Sequence, residues 1–351
     1  MRPIRISVLL LLFVITGVPL QAQSNGSFED RLERLATENA EGYLSPVVTG
    51  TGIGLNSGII RTAKVHKLLG FDLTISASGI SIPDDAKTYR FRTSALGMVP
   101  VELPVDDRTV SVEFDAGQLY PAAENAPTFF GSEDPPPLGP DIDYATNKVL
   151  EENSELNESM VRNALENTLQ PFDVIPRGFD IPFWALPNLQ ASVGLPYSTE
   201  LQIRFTPTYS IGDDVGDFSL RGIGGRISID QFIPIPFFPV DIAAGAFFQR
   251  TELGPVTVNS SILHAEVSKT LLMLTVYGGL GLESSNLNAE YSFEHPMIPG
   301  QTEEIEIDIA GDNQFRATIG AQLQLLLLRF NLDYTLSRYN SINLGVGVSF
   351  R

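Results

Sequence analysis

Residues 314–351 read QFRATIGAQLQLLLLRFNLDYTLSRYNSINLGVGVSFR, and this ending decides the fold. From Gln314 to Leu325 the odd positions carry Phe315, Ala317, Ile319, Ala321, Leu323 and Leu325, and the even ones carry Arg316, Thr318, Gln322 and Gln324. Leu328, Phe330, Leu332, Tyr334 and Leu336 then alternate with Arg329, Asn331, Asp333, Thr335 and Ser337. The closing run sets Ile342, Leu344, Val346, Val348 and Phe350 against Asn343, Gly345, Gly347, Ser349 and Arg351. Period-two order gives each strand one oily and one wet face. In a sandwich the oily faces turn inward, whereas in a membrane barrel they turn outward to lipid.

The opposite end of the chain favours lipid. Arg2 and Arg5 precede an apolar run from Ile6 to Leu20, followed by Gln21, Ala22 and Gln23, which reads as a secretory signal peptide over residues 1–22. No later stretch approaches the roughly twenty apolar residues of a spanning helix, so a membrane-embedded mature chain must cross with strands. There is no cysteine, so neither disulfides nor thiolate metal sites are available. Without the two signal arginines, 21 Lys+Arg stand against 42 Asp+Glu, a formal charge of −21 that argues against nucleic acid as a partner.

Along the mature chain, residues 23–57 read as an N-terminal helix and lead-in able to plug a lumen. Ser27 is its N-cap, its span reaches about Ala40, Gly42 and Pro46 end it, and a glycine-rich passage from Gly50 to Gly58 leads into the first sheet segment. Residues 58–351 read as barrel. Early strands are expected near Gly58 to His66, Phe71 to Ile82, Lys87 to Ser94 and Arg108 to Phe114. Alternation then lapses over a proline-rich insert, residues 116–186, which holds a polar helix from about Asn147 to Gln170. About ten further strands follow from Leu189 onward, with Thr270 to Leu282 and Leu287 to Glu294 counted separately. The expected fold is all-β: a transmembrane antiparallel β-barrel of about 14 strands with a short N-terminal helix and a long Pro-rich, partly helical insert. The acidic passage from His295 to Asn313 is expected to face outside.

Several passages carry a resemblance. Leu44-Ser45-Pro46, Gly54-Leu55-Asn56-Ser57-Gly58, Gly70-Phe71-Asp72-Leu73, Gly194-Leu195-Pro196 with Thr199-Glu200-Leu201, and Tyr277-Gly278-Gly279-Leu280-Gly281 resemble an uncharacterised family of predicted exported barrel proteins. An N-terminal helix before about fourteen strands is also remotely similar in architecture to the long-chain fatty-acid transporter class, although the Asn-Pro-Ala signature of that class is absent. The resemblance implies the outer membrane of a Gram-negative-type bacterium. A closing strand that ends on Phe350 resembles the signal read by barrel-assembly machinery.

Enzyme chemistry finds little support in the sequence. His66, His264 and His295 lie in separate segments, with no paired ligand spacing. The Gly222, Gly224, Gly225 cluster reads as a strand kink or close approach rather than a phosphate loop. No enzyme, cofactor, metal site or catalytic residue is therefore expected. The lumen-facing candidates are Glu200, Gln202, Arg204, His264, Glu266, Arg316, Gln322, Gln324, Arg329, Asn331 and Asp333, a mixed-sign set able to cross-link a narrow interior. The expected function is a pore or transporter for small solutes, hydrophobic ones included, gated by the helix or the insert. The alternative is a non-conducting surface or scaffold barrel whose acidic outer loops bind a partner. The expected partners are outer-membrane lipid, the assembly machinery and a small solute.

Overall fold

A computed structural model describes residues 35–350, except 106–107, 133, 172–173, 213–215, 234–238, 295–297, 299 and 301. The signal peptide and the Ser27 cap lie outside the described residues. Helix α1 spans Thr37–Asn56 and runs through Gly42 and Pro46, expected to end it, and on through most of the glycine-rich passage expected to lead into the sheet. Close packing explains the difference. A Cβ on Gly42 would stand 2.3 Å from the Tyr89 ring, and one on Gly52 would stand 2.4 Å from Ser285 Oγ. These glycines let a helix enter a crowded space rather than break it. Pro46 costs one i→i−4 bond, which the surrounding core overrides.

Strand β1 (Phe71–Ser81) is followed by four short strands: β2 (Thr88–Phe91), β3 (Met98–Val105), β4 (Arg108–Asp115) and β5 (Ala123–Pro127). Then come β6 (Phe183–Leu195), β7 (Thr199–Gly212), β8 (Gly216–Ser228), β9 (Asp241–Leu253), β10 (Val256–Leu271) and β11 (Leu274–Glu294). The chain ends with β12 (Thr302–Ala310), β13 (Phe315–Leu325), β14 (Leu328–Leu336) and β15 (Ser341–Phe350). Ten of these close into an antiparallel ring in the order β1, β6, β7, β8, β9, β10, β11, β13, β14, β15, with β15 pairing back onto β1. Phe71 faces Phe350 across that seam.

The expectation of about 14 staves is corrected to ten, and each surplus has its own cause. Residues 58–66 form no strand and run inside the ring instead. The segments near 87–94 and 108–114 do form strands, but β2 pairs with β5 and β3 with β4, apart from the ring. Residues 287–294 continue β11, a single strand of 21 residues. Alternation reports a half-buried strand without saying which sheet it joins. β12 does not widen the ring either. It pairs with β11 from Asn286↔Ala310 outward, while β13 pairs along the same edge from Leu282↔Phe315 inward. β12 and β13 thus lie end to end, and past Ala289, the last β11 residue paired with β10, the β11–β12 hairpin projects beyond the ring by about 17 Å of strand at ~3.3 Å per residue.

The Pro-rich insert at 116–186 is also corrected. The excursion from the ring runs from Ile82 to Pro182, and it is a folded cap. Its single expected helix is two, α2 (Ile142–Glu152) and α3 (Glu158–Thr168), the second capped by Asn157. On α3, Val161 and Leu165 pack fully buried while Met160 stays exposed. β6 begins before Pro187, earlier than alternation suggested. There β6 pairs only with β1, because its ladder to β7 starts at Leu189, and a residue without an N–H is tolerated on a free edge.

The oily faces point outward. On β15, Ile342, Leu344, Val346, Val348 and Phe350 are 42–59 % exposed, while Asn343 and Ser349 are buried inside. Ten residues tilted as barrel strands are make an apolar band about 25 Å tall. The apolar core lies above, where the cap, the first half of α1 and the β11–β12 hairpin meet. Phe129 packs on Phe179 at 4.6 Å and Phe130 on Trp184 at 5.6 Å between ring centroids. Asn39 ties α1 to the cap through both amide atoms, accepting from Arg92 N–H at 2.8 Å and donating to Arg92 O at 2.9 Å.

Candidate functional site

The interior of the ring is filled by the chain's own residues 47–70, in two layers. In the upper layer α1 stands among the buried apolar side chains of Phe218, Leu220, Leu253, Val256, Val258 and Leu287. The lower layer is polar, and it begins where α1 ends. The last carbonyls of any helix lack intrahelical partners, and the dipole there favours cations. α1 has no basic residue in its last turn, so the wall supplies the cations. Arg316 donates to Ile53 O at 3.2 Å and to Ser57 Oγ at 3.1 Å. Arg204 donates to Leu55 O at 2.5 Å and to Ser57 O at 2.8 Å, and Gln249 adds a bond to Leu55 O at 2.9 Å. Gly58 makes the exit turn with φ +69°, in the left-handed region that favours glycine.

Below that turn the chain descends through paired charges. Arg61 reaches Asp72 at 3.3 Å, Thr74 at 2.8 Å and Ser192 at 3.2 Å, while Arg329 holds the other oxygen of Asp72 at 3.2 Å. Arg226 pairs with Glu200 at 2.9 Å and Glu266 at 2.6 Å and also donates to Thr62 O. His66 donates its backbone N–H to Glu200 at 3.0 Å, and its Nδ1 lies 2.8 Å from the same carboxylate. Arg316 completes the set with Glu283 at 3.5 Å. Among the described residues of this interior, five guanidiniums (Arg61, Arg204, Arg226, Arg316, Arg329) meet five carboxylates (Asp72, Glu200, Glu266, Glu283, Asp333). A lumen balanced in this way leaves the acid excess of the chain on its other surfaces.

Of the residues singled out from sequence, Glu200, Gln202, Arg204, His264, Glu266, Arg316, Gln322, Asn331 and Asp333 are all buried. Arg329 is nearly so, and Gln324 sits half-buried at the rim, donating to Leu326 O. Arg61, His66, Asp72, Arg226 and Glu283 are equal members of the network that sequence reasoning did not single out. Arg61 and His66 belong to the stretch read as a stave, whereas Asp72 stood on a wet face already visible in β1. Arg226 follows the Gly222–Gly225 cluster, whose glycines make room for the Phe247 ring; Cβ atoms on Gly222 and Gly224 would meet it at 2.7 and 2.3 Å.

Two chemical readings of this cluster need weighing. Donor atoms of His66, Asp72 and Glu200 lie within 4.8 Å of one another, as metal ligands would. Both carboxylates already engage guanidinium groups, so the donor set suits ion pairs better than a cation. Ser349 Oγ, His66 Nε2 and Glu200 also stand in relay order, at 3.3 and 2.8 Å. All three are 5 % exposed or less, and a hydrolase would need them open to substrate. His264 has no hydrogen-bond partner on either ring nitrogen among the described residues. A cleft of about 700 Å³ lies outside the ring between Ala36–Glu38, Leu96–Met98 and Glu304–Glu306.

The plug leaves the ring beside Gly194, where a Cβ would stand 2.1 Å from Lys67 O. Leu69 N–H donates to Gly194 O, and Gly194 N–H to Gly70 O. Replacing Gly194 by valine will therefore overpack this exit and destabilise the folded protein by about 1–3 kcal/mol, read as a lower urea midpoint in detergent micelles.

Fold and interior together define a closed antiparallel barrel of outer-membrane architecture, occupied by its own N-terminal segment. The chain belongs to DUF6588, a family of unknown function whose model matches residues 1–350. No curated protein matches it. Among solved structures it is similar to the KdgM porin at 11 % identity, over 47 % of this chain and 92 % of that one, with a TM-score of 0.24. It is also similar to Ail of Yersinia pestis at 10 % identity over 81 % and 100 % of the two chains, TM-score 0.22. A third likeness is to the translocator domain of the autotransporter NalP from Neisseria meningitidis, at 9 % identity over 82 % and 90 %, TM-score 0.25. Scores this low carry neither topology nor activity from those proteins to this chain.

Proposed function

We propose that this protein is an outer-membrane anchor, non-conducting at rest, that holds a folded cap and an acidic hairpin at one face of the membrane. The filled interior is the observation that carries this reading. Residues 53–66 bond to the wall all the way round, so a pore gated by the N-terminal segment, as expected from the sequence, would be closed at rest. The outward apolar band supports lipid as the surrounding medium. The hairpin and cap supply the display surface, with Glu304, Glu306 and Asp308 exposed on β12. Phe350 closes the last stave opposite Phe71, which supports its reading as the assembly signal.

A gated transporter is the second reading, and one observation favours it. In its lower layer the plug meets the wall largely through ions and hydrogen bonds, although well-packed apolar groups would hold it at least as firmly. A polar seam can exchange its partners for water if the plug moves. Planar-bilayer recording separates the readings. The intact refolded protein is expected to show no steady conductance; spontaneous, sustained channel currents would favour the transporter.

A further inference from the structure

The two ends of the ring are built from different residues. At the cap end, β14 and β15 are joined by the polar Ser337–Asn340, and Leu253 beside the β9–β10 turn is buried. At the other end the chain presents apolar tips one after another. They are Leu69 before β1, Tyr197 between β6 and β7, Phe232 between β8 and β9, Leu272 and Met273 between β10 and β11, and Leu326 between β13 and β14. These side chains are 56–98 % exposed. Leu69, Tyr197, Leu272 and Leu326 also hold φ between +57° and +62°. Asn or Gly fills such positions more easily, and both suit a turn in water better.

At the β13–β14 turn no polar step separates the tip from the lipid band. Leu325, Leu326, Leu327 and Leu328 carry it without interruption around the β13–β14 turn. The charge at this end also differs from the rest of the molecule. Lys64, Lys67 and Lys269, three of the five lysines of an acidic chain, are exposed here and outnumber the half-buried Asp230 and Asp241 beside them. Apolar tips ringed by lysines are the composition of a surface that rests in a lipid interface, where the tips enter the acyl region and the ammonium groups reach anionic headgroups.

We propose that this turn rim is seated in the phospholipid leaflet instead of projecting into water. The inference rests on the reading that the ring spans a bilayer, and it adds which rim is embedded and the anionic phospholipid that receives it. An apolar patch of this kind could equally serve a protein partner, but its continuity with the lipid band and its lysines favour the membrane.

The absence of native cysteine makes the test direct. The full-length chain carrying a single nitroxide at Leu326→Cys or Leu272→Cys is reconstituted into phosphatidylethanolamine–phosphatidylglycerol vesicles. Collision with oxygen and with a water-soluble nickel chelate is then compared by electron paramagnetic resonance. Leu332→Cys marks the middle of the band and Glu306→Cys the water side. Expected is an oxygen-to-nickel ratio at 326 and 272 within about twofold of that at 332, far from that at 306. Nickel access at 326 and 272 with 332 still shielded would overturn the seated rim, leave the spanning ring intact, and make the rim a protein-docking surface. Nickel access at 332 as well would overturn the spanning ring and this inference with it.

Discussion

Replacing Arg226 by methionine will cost the folded barrel about 3–5 kcal/mol, because it leaves Glu200 and Glu266 buried without their shared cation. The guanidinium is about 1 % exposed and both carboxylates are fully enclosed, so water cannot take its place at little cost. Salt will not mimic the effect, since charges inside the ring are poorly screened. The loss is read from urea unfolding in detergent micelles and corresponds to more than a hundredfold shift in the equilibrium. Removing the charges together, with Glu200 and Glu266 changed to glutamine and methionine, should recover most of that stability. Arg108→Ala, which breaks an exposed pair with Glu155 on the cap, should change it by about 1 kcal/mol or less. Equal losses at Arg226 and Arg108 would mean that the interior charges are hydrated.

Emptying the ring will turn a silent protein into a conductor. Deleting residues 37–66 removes α1 and the charged descent while leaving every stave in place, and ten strands enclose a space that side chains alone do not fill. The four wall arginines (Arg204, Arg226, Arg316, Arg329) and the carboxylates of Asp72, Glu200 and Glu283 lose their partners along the plug, so the shortened protein will also be less stable, and its heat-modifiable migration must be verified first. Given a folded ring, steady conductance is expected where the intact chain shows none. Silence from a folded, shortened ring would mean that the wall collapses inward or that the cap alone seals it.

The wall was legible in the sequence and the interior contents were not, and the reason is local. In β13, β14 and β15 each residue's face follows from its neighbours two positions away, so Phe350, Asp333 and Arg316 could be assigned to faces without knowing the ring. Residues 58–66 lie in an environment set by other segments. Ile59 and Ile60 pack on the plug's own surroundings while Arg61 and His66 answer carboxylates on β1 and β7. In sequence that mixture resembles a weak strand. The helix was misplaced for a similar reason, because Gly42, Pro46, Gly50, Gly52 and Gly54 signal a loop locally and a tight fit tertiarily. The strand count rose in part because β4 alternates as cleanly as any stave, its inner face covering the cap instead of the lumen.

The central claim is that residues 53–66 occupy the ring at rest, and a cross-link in native membranes tests it most directly. Ser57 Oγ on the plug and Ser341 Oγ on β15 lie 3.0 Å apart. In a chain without other cysteines, Ser57→Cys combined with Ser341→Cys should oxidise to a disulfide in nearly every molecule, detected by altered migration that reductant reverses. Free thiols on both residues after mild oxidation, in protein whose ring is shown to be folded, would contradict it.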